Sequence, residues 1–456
     1  MQHFKRKLEE SILTWMHGDS QRVLLIQGAR RVGKTHLIRY LGEREYGQNF
    51  VSIDFQTDVE QIERIFSHPT DAVDDIIADI SNYIRRPIQP ETSLIFFDEV
   101  QLNERALNSL RFFAQSQWKV IASGSLLGVH TRTRTLPFPS GVELKELHPM
   151  DFEEHLWALG EETVADDIRN HAANLTPYIL HEQVLDLWDR YLTLGGMPGV
   201  LAEFLAQDTP PEDNAWDAAT RALEEIDATY IADMNDPTLG RSGVSAQRVW
   251  NSISAQLLRT SSKKFKYSEV IRGGRRQRLL EPLEWLDAAG IITIHDLTRD
   301  HTVPLTPFNE EEGSFFKVYM ADTGLLFHKF SISPQLYLAD RDHTLLSSDF
   351  RGALAENATM QALHASGLRT FYWMPDSDTQ HGEVEFIYSD QSGNVVPVEV
   401  KSGNRTRAQS LNKLVKLSQT PVAYRLSRKQ FSSSHMDGTE CTLHSLPLYA
   451  AFTLKT

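Results

Sequence analysis

The sequence predicts an α/β fold with a parallel β-sheet for the first third of the chain. Short segments in this region are apolar over nearly their whole length, and stretches of helical length separate them. A glycine-containing loop follows the first of these segments. Strands that are apolar on both faces are typical of a parallel sheet covered by helices on each side. The five predicted strands are residues 22–27, 50–55, 93–99, 118–125 and 142–147.

The loop after the first strand fits the pattern G-x-x-x-x-G-K-[ST], and apolar residues at helical spacing follow it. Two glycines let the backbone turn its N–H groups towards a phosphate, and a helix N-terminus adds a partial positive charge. A lysine in this position reaches the β- and γ-phosphates, and the next hydroxyl can ligate Mg²⁺. The predicted nucleotide-binding residues are Gly28, Ala29, Arg30, Arg31, Val32, Gly33, Lys34, Thr35 and His36.

Two carboxylates end the third predicted strand, where a second nucleotide motif is expected. Asp98 is predicted to hold Mg²⁺ and Glu99 to orient the attacking water. Ser123 and Ser125 end the fourth strand. Ser125 is predicted to contact the γ-phosphate, although a Ser-Gly-Ser sequence is equally typical of an ordinary turn. The predicted catalytic residues are Lys34 and Glu99, and the predicted cofactors are ATP and Mg²⁺.

Length and charge indicate several domains rather than one. A chain of 456 residues exceeds what one hydrophobic core supports. The net charge is -15, but residues 151–236 alone contain 20 acidic residues and three arginines. The acidity therefore belongs to one segment, and the overall charge says little about the partners of the others. We predict domains at residues 1–150, 151–239, 240–345 and 346–456.

The sequence features also predict a cytoplasmic location. Cys441 is the only cysteine, which excludes an intramolecular disulfide and fits a reducing compartment. The first residues lack the apolar region of a signal peptide, and no apolar run approaches the length of a membrane helix. We therefore expect no membrane partner.

The third predicted domain contains a basic stretch. Residues 263–278 contain seven basic side chains and Glu269 as the only acidic one. Two short predicted helices and a strand at about 290–294 follow the order of a winged helix-turn-helix. DNA contact is one interpretation of this stretch. A solvated basic face that docks on the acidic segment of the same chain, or that has no partner, is the other, and the sequence does not choose between them.

The last predicted domain places carboxylates across a hairpin. Strands at 383–387 and 395–401 flank a turn at 390–394, and folding about that turn puts Glu385 nearly opposite Glu399. Lys401 lies on the same face as Glu399, and Glu356 lies on a preceding helix. These four side chains could form a Mg²⁺ site, with Lys401 acting on the attacking water or on the phosphate charge. A salt-bridged sheet surface is the equally supported alternative.

These motifs resemble those of prokaryotic ATP-binding proteins of the AAA superfamily, often called archaeal-ATPase-like. The resemblance covers nearly the whole chain and rests on residues 28–35, 96–101, 122–125, 147–154, 195–198 and 317–326. It implies a P-loop ATPase domain and a C-terminal domain of unknown function similar to PD-(D/E)XK nucleases. The nuclease-like motif is matched by Glu356, residues 383–386 and residues 398–401. The family's hairpin carboxylate is usually Asp, whereas this chain has Glu385.

The fold that we expect is therefore a P-loop NTPase sheet, an acidic helical lid, a winged-helix region and a C-terminal domain similar to restriction endonucleases. The expected function is Mg²⁺-dependent ATP hydrolysis coupled to a nuclease-like domain that acts on DNA. The alternative is a nucleotide-dependent switch or scaffold whose C-terminal domain makes contacts only.

Overall fold

The computed structural model of the chain describes residues 2–20, 22–125, 140–206, 212–235, 241–259, 263–310, 313–375, 382–402 and 409–455. The chain divides into two compact units. The N-terminal unit comprises residues 1–148 and 288–290, and the C-terminal unit comprises residues 149–287 and 291–456. Over the described ranges, none of the helices combines the length and the apolar character needed to cross a membrane.

The N-terminal unit contains a five-stranded parallel sheet. Its strands are β1 (Val23–Gln27), β2 (Phe50–Asp54), β3 (Leu94–Asp98), β4 (Lys119–Gly124) and β5 (Val142–Glu146). The order is β2-β3-β4-β1-β5, and every neighbouring pair is parallel. Each strand begins and ends within one residue of its predicted bounds, which confirms the parallel α/β prediction. Strand β4 lies between β1 and β3, so the loop after β1 and the carboxylates after β3 flank the end of β4.

Helices of the N-terminal unit bury the apolar strands. They are α1 (Leu8–His17), α2 (Lys34–Tyr46), α3 (Val59–Ile65), α4 (Val73–Ile84) and α5 (Glu104–Phe113). Ile80 of α4 and Leu110 of α5 belong to the same buried cluster as Phe97 of β3. All five residues of β3 are buried, so both faces of this strand are covered. Its carboxyl end can therefore hold polar groups in a setting from which water is largely excluded.

The C-terminal unit begins with helices and then alternates helices with strands. The helices are α6 (Phe152–Ala158), α7 (Glu162–Asn174), α8 (His181–Leu194), α9 (Pro198–Leu205), α10 (Glu212–Met234), α11 (Arg241–Leu257), α12 (Tyr267–Val270), α13 (Arg276–Ala288), α14 (Thr323–Lys329), α15 (Pro334–Ala339), α16 (Ser348–Ala365) and α17 (Gln409–Ser418). The first five helices fit the prediction of a helical acidic segment.

The strands of the C-terminal unit form one mixed sheet and a small hairpin. They are β6 (Ile292–Thr298), β7 (Asn309–Glu310), β8 (Gly313–Ser314), β9 (Phe316–Met320), β10 (Phe371–Trp373), β11 (Val384–Ser389), β12 (Val395–Val400), β13 (Val422–Ser427), β14 (Ser432–His435) and β15 (Thr442–Pro447). The eight-stranded sheet has the order β14-β15-β13-β12-β11-β10-β6-β9, and β7 pairs with β8.

The region expected to be a winged helix shares this sheet with the C-terminal strands. Helices α12 and α13 followed by β6 are in the predicted order. Strand β6 pairs antiparallel with β9 and parallel with β10. The helices and the strands from β6 onwards therefore belong to one folded unit, and the winged-helix and nuclease-like folds stay predictions.

A buried aspartate joins three segments of the C-terminal unit. Asp322 accepts a hydrogen bond from the Leu325 N–H at 2.9 Å, which caps α14, and one from the Gly196 N–H at 2.6 Å. Gly196 in turn accepts from the Met150 N–H at 2.7 Å. A Cβ atom at position 196 would lie 2.0 Å from the Met150 carbonyl oxygen, so only glycine fits there. The Gly195-Gly196 turn thus has a structural role, because it connects the segments that contain Met150 and Asp322.

Replacing this aspartate should destabilise the C-terminal unit. Asp322→Ala removes a helix cap and leaves buried N–H groups without acceptors, so we expect its free energy of unfolding to fall by about 2–4 kcal/mol. Denaturant unfolding of the full chain measures the change. Asp342→Ala, at an exposed aspartate, is the matched control and should change stability little. Equal stability of the two variants would contradict the assignment of a structural role to Asp322.

Candidate functional site

The loop between β1 and α2 has a backbone that requires its glycines. Gly33 has φ +97°, and Gly28 has φ +154°. A Cβ atom at Gly28 would lie 2.2 Å from the Leu147 carbonyl oxygen. Because the chain passes so close at this point, only glycine allows the loop to curl in front of the α2 N-terminus. The nine predicted nucleotide-binding residues lie on this loop and on the first turn of α2.

An arginine near the N-terminus braces the same loop. Arg6 donates from Nη1 to the Val32 carbonyl oxygen at 2.9 Å and from Nη2 to the His148 carbonyl oxygen at 2.6 Å. Its side chain is buried. Nothing in the local sequence predicted this role, since the contacts span 26 and 142 residues.

The lysine of the loop is buried at the start of α2. Lys34 Nζ donates to the carbonyl oxygens of Gly28 and Ala29 at 2.8 and 2.9 Å. Burial lowers the pKa of Lys34 to about 8, and the nearby carboxylates of Glu99 and Asp98 oppose that shift. The ammonium group is thus held inside the loop where a bound phosphate would compete for it.

The two carboxylates after β3 lie against this loop. Asp98 Oδ1 accepts hydrogen bonds from Thr35 Oγ1 at 2.9 Å and from Ser123 Oγ at 2.5 Å. Burial raises the pKa of Asp98, and the two hydroxyl donors oppose that effect. A hydroxyl and a carboxylate in contact are the oxygen ligands that Mg²⁺ prefers. These residues therefore fit the predicted magnesium position.

Glu99 is held by donors on two elements. Its Oε2 accepts from Gln101 Nε2 at 2.6 Å, from the Ser125 backbone N–H at 3.2 Å and from Ser125 Oγ. Burial raises the pKa of Glu99, but Lys34 and these hydrogen bonds outweigh it, and the net result is a lowered pKa. Glu99 is therefore ionised at neutral pH, as a group that accepts a proton from water must be.

The other predicted loop residues divide into backbone and side-chain contributors. Ala29 and Val32 are buried, so they offer their backbone to a ligand. Arg30 Nε donates to Ser125 Oγ at 3.4 Å, which links the loop to the end of β4. Arg31 is in the left-handed region with φ +70°. The His36 ring stacks on His3, with their centroids 5.7 Å apart.

The C-terminal unit brings the four predicted metal-site residues into one cluster. We call Glu356, Glu385, Glu399 and Lys401 the C-terminal carboxylate cluster. The pairing of Phe386 with Val398 sets Glu385 and Glu399 opposite each other in the next register position, as the hairpin turn predicted. Lys401 Nζ lies 3.1 Å from Glu385 Oε1 and 3.4 Å from Glu399 Oε1. Burial raises the pKa of Glu385, Lys401 opposes it, and nearby Glu356 adds to it.

Further cations that the sequence analysis missed surround this cluster. Lys263 pairs with Glu356, whose other oxygen lies 3.6 Å from the fully buried Lys317 Nζ. Arg425 Nε lies 2.9 Å from Glu399 Oε2. The opposing charges of Lys263 and Lys317 lower the pKa of Glu356 against the effect of burial. Any metal ion bound here would have to share the carboxylates with these ammonium groups or displace them.

The basic stretch is largely exposed. Arg272, Arg275, Arg276 and Arg278 are exposed around the start of α13, and no ion pair involves them in the described part of the chain. The nearby Glu269 pairs with Arg259 instead. Lys263 turns inwards towards Glu356, and Lys264 lies over the Phe315 ring, 4.6 Å from its centroid.

Three family models match parts of the chain. A model described as an AAA domain matches residues 20–156. Two models described as domains of unknown function, DUF8612 and DUF4143, match residues 185–336 and 351–442. No curated protein is significantly similar to the chain.

Among solved structures, the chain is similar to that of Cdc6p from Pyrobaculum aerophilum. The identity is 14%, the match covers 63% of this chain and 86% of that one, and the TM-score is 0.23. We draw no conclusion about activity from this similarity.

The parallel sheet and the phosphate-type loop define the N-terminal unit as a P-loop nucleotide-binding domain. The AAA-domain model that matches residues 20–156 supports an AAA-superfamily ATPase in this part of the chain. The parallel α/β fold expected for the first third of the chain is confirmed.

The phosphate-loop assignment is tested by removing the loop cation. Lys34→Ala should raise the dissociation constant for ATP by about a hundredfold or more, because it deletes a charged group that donates hydrogen bonds to the phosphates and leaves the core intact. Fluorescence titration with a labelled ATP measures the affinity, and circular dichroism checks the fold. The exposed Lys416→Ala is the control. A folded Lys34→Ala variant with wild-type affinity would refute the assignment.

Proposed function

We propose that the chain is a Mg²⁺-dependent ATP hydrolase in which Glu99 activates the attacking water. The proposal rests on one observation. Lys34, the Thr35–Asp98 pair and ionised Glu99 all lie next to the loop between β1 and α2. These are the parts that phosphoryl transfer to water needs: a cation for the phosphates, oxygen ligands for Mg²⁺ and a group that orients water.

In this mechanism the chain's residues act mainly by positioning and electrostatics. The N–H groups of the loop bind the phosphates, and Lys34 exchanges its carbonyl partners for phosphate oxygens. Thr35 and Asp98 would hold Mg²⁺, which when bound neutralises charge on the β- and γ-phosphates. Glu99 orients a water molecule and accepts its proton. Ser125, which contacts Glu99 and Arg30, would respond to the γ-phosphate.

The competing proposal is a switch that binds ATP and turns it over rarely. Glu99→Gln separates the two. It should keep Mg·ATP bound and slow hydrolysis by about a hundredfold or more, because the amide cannot accept the proton of water.

Multiple-turnover phosphate release and ATP affinity measure this effect, with the exposed Glu91→Gln as control. Wild-type turnover in Glu99→Gln would make Glu99 a bystander, and bound ATP with negligible turnover in the wild type as well as in the variant would favour the switch.

A second candidate function is metal-dependent cleavage of DNA at the C-terminal carboxylate cluster. The contact of Lys401 with both hairpin carboxylates, and the proximity of Glu356 to Glu385, support it. Such a set could bind Mg²⁺ or Mn²⁺ once the ammonium groups yield, and Lys401 would then stabilise charge on the scissile phosphate. The extra methylene of Glu385 and the added cations favour the alternative, a domain that only makes contacts.

Cleavage assays on variants of this cluster distinguish a nuclease from a domain that only makes contacts. Metal-dependent cleavage of DNA should be lost in Glu399→Ala and Lys401→Ala and kept in the control Glu440→Ala. Cleavage that survives in Lys34→Ala would show an autonomous nuclease, whereas its loss there would make cleavage depend on ATP. No cleavage by the wild type, together with no binding of Mn²⁺ in calorimetry, would end the nuclease proposal.

We propose DNA as the partner of the basic stretch. The four exposed arginines around the start of α13 support this, because a recognition helix presents its first residues to the groove. ATP state would then be coupled to the binding or cleavage of DNA by the C-terminal unit.

Charge reversal tests the DNA partner. Arg275→Glu with Arg276→Glu should weaken DNA binding and reduce the slope of log affinity against log salt by roughly one per lost phosphate contact. Lys416→Glu with Lys429→Glu makes the same change in charge elsewhere on the C-terminal unit and should leave the slope unchanged. Wild-type protein without salt-sensitive DNA binding would contradict the proposal.

A further inference from the structure

Glu99 occupies a backbone conformation that is unusual for a residue with a side chain. Its φ is +57° and its ψ is 46°, in the left-handed region. This conformation costs roughly 1 kcal/mol or more for a residue other than glycine and persists only where the surroundings enforce it. Ser123 Oγ accepts a hydrogen bond from the Glu99 N–H at 3.2 Å, which fixes the backbone. Contacts with the end of β4 therefore fix the direction of the Glu99 side chain.

The hydrogen bonds to the Glu99 carboxylate are all on one oxygen. Gln101 Nε2 and both donors of Ser125 meet Oε2. Among the described residues, no donor reaches Oε1. A carboxylate held by one oxygen keeps the other oxygen available to accept a proton.

Gln101 is buried in the 3₁₀ helix Val100–Leu102, directly after Glu99. Within the described chain, its amide oxygen Oε1 is buried and has no hydrogen-bond partner. Burying an unpaired amide oxygen costs about 1–3 kcal/mol, a cost that an apolar side chain of the same length would avoid. The hydrogen bond to Glu99 is the contact that sets glutamine apart from methionine at this position.

We propose that Gln101 is a positioning residue for ATP hydrolysis, whose amide fixes Oε2 of Glu99 and thereby presents Oε1 to the attacking water. This inference rests on the proposed function, in which Glu99 activates that water. Ser125 shares the task but also contacts Arg30 of the phosphate loop. Gln101 has no hydrogen bond to that loop, so its effect should be confined to Glu99.

The charged groups that face Glu99 stay in place when Gln101 is changed. They are Lys34 from α2 and Asp98 at the end of β3, both of which interact electrostatically with Glu99. Removing the amide donor therefore changes the orientation of the Glu99 carboxylate and leaves its charged surroundings as they are.

The experiment uses the full chain with Gln101→Met, which keeps the length of the side chain, and Gln101→Ala as a second variant. Leu102→Ala, an exposed change in the same 3₁₀ helix, is the control. Steady-state hydrolysis of Mg·ATP is measured at pH 7. We expect kcat to fall about tenfold in both Gln101 variants. KM should stay within about twofold of wild type, because no phosphate ligand is lost.

Several outcomes would overturn the inference. An unchanged kcat in a folded Gln101→Met variant would show that the amide does not position Glu99, and a KM that changes as much as kcat would show a loss of binding instead. A kcat above that of wild type would show that Gln101 restrains Glu99 in an idle orientation. If Gln101→Met does not fold, the same measurements on Gln101→Ala test the inference. Glu99→Gln measured alongside separates this failure from that of the proposed function, since wild-type turnover in Glu99→Gln would refute the role of Glu99 as the group that activates water.

Discussion

The arrangement of the N-terminal unit depends on two carboxylates that are buried at the end of β3. Asp98 and Glu99 are 3% and 8% exposed, and an unpaired charge in such a setting would be strongly destabilising. Each carboxylate therefore requires donors from neighbouring elements. Thr35 and Lys34 come from α2, and Ser123 and Ser125 come from the end of β4. The need to satisfy this pair holds the loop, the central strands and α2 in one arrangement.

The donors chosen for this pair also explain why the site suits a nucleotide. Thr35 and Ser123 are neutral hydroxyls that donate to one oxygen of Asp98, and the partly exposed Arg39 Nη2 lies 3.7 Å from the other oxygen. The carboxylate can still attract a divalent cation, because its closest partners carry no full charge. Lys34 Nζ rests on carbonyl oxygens that a phosphate can replace. Lys34 and Asp98 can thus exchange these contacts for a phosphate and a cation.

The C-terminal carboxylate cluster meets the same constraint in a different way. Its carboxylates are neutralised by ammonium and guanidinium groups, with Lys263 and Lys317 on Glu356 and Lys401 on both hairpin carboxylates. Full charges cancel the field that would attract a metal ion, so such a cluster is stable without one. Asp98, by contrast, has two hydroxyl donors and, among the described residues, one ion pair with the partly exposed Arg39. This difference favours hydrolysis of ATP over cleavage of DNA.

The sequence predicted what depends on local pattern and missed what depends on distant contacts. Strand β3 was predictable because its residues are apolar without interruption, and the opposition of Glu385 and Glu399 followed from the turn between their strands. The ion pair of Lys263 with Glu356 joins residues 93 positions apart, and no periodicity reports such a contact. The pairing of β6 with β10 was missed for the same reason. Gln101 ends the motif at residues 96–101, but the sequence assigned it no role, because the direction of one amide group cannot be predicted from a motif.

A crystal structure of the full chain with Mg²⁺ and a non-hydrolysable ATP analogue would test the assignment of the nucleotide site most directly. We expect the phosphates within the loop of residues 28–35, with Lys34 Nζ moved from the carbonyl oxygens to phosphate oxygens. We also expect Mg²⁺ between Thr35 and Asp98, and a water held by Glu99 in line with the γ-phosphate. A nucleotide bound elsewhere, or Lys34 still on the carbonyl oxygens beside a bound nucleotide, would contradict the assignment.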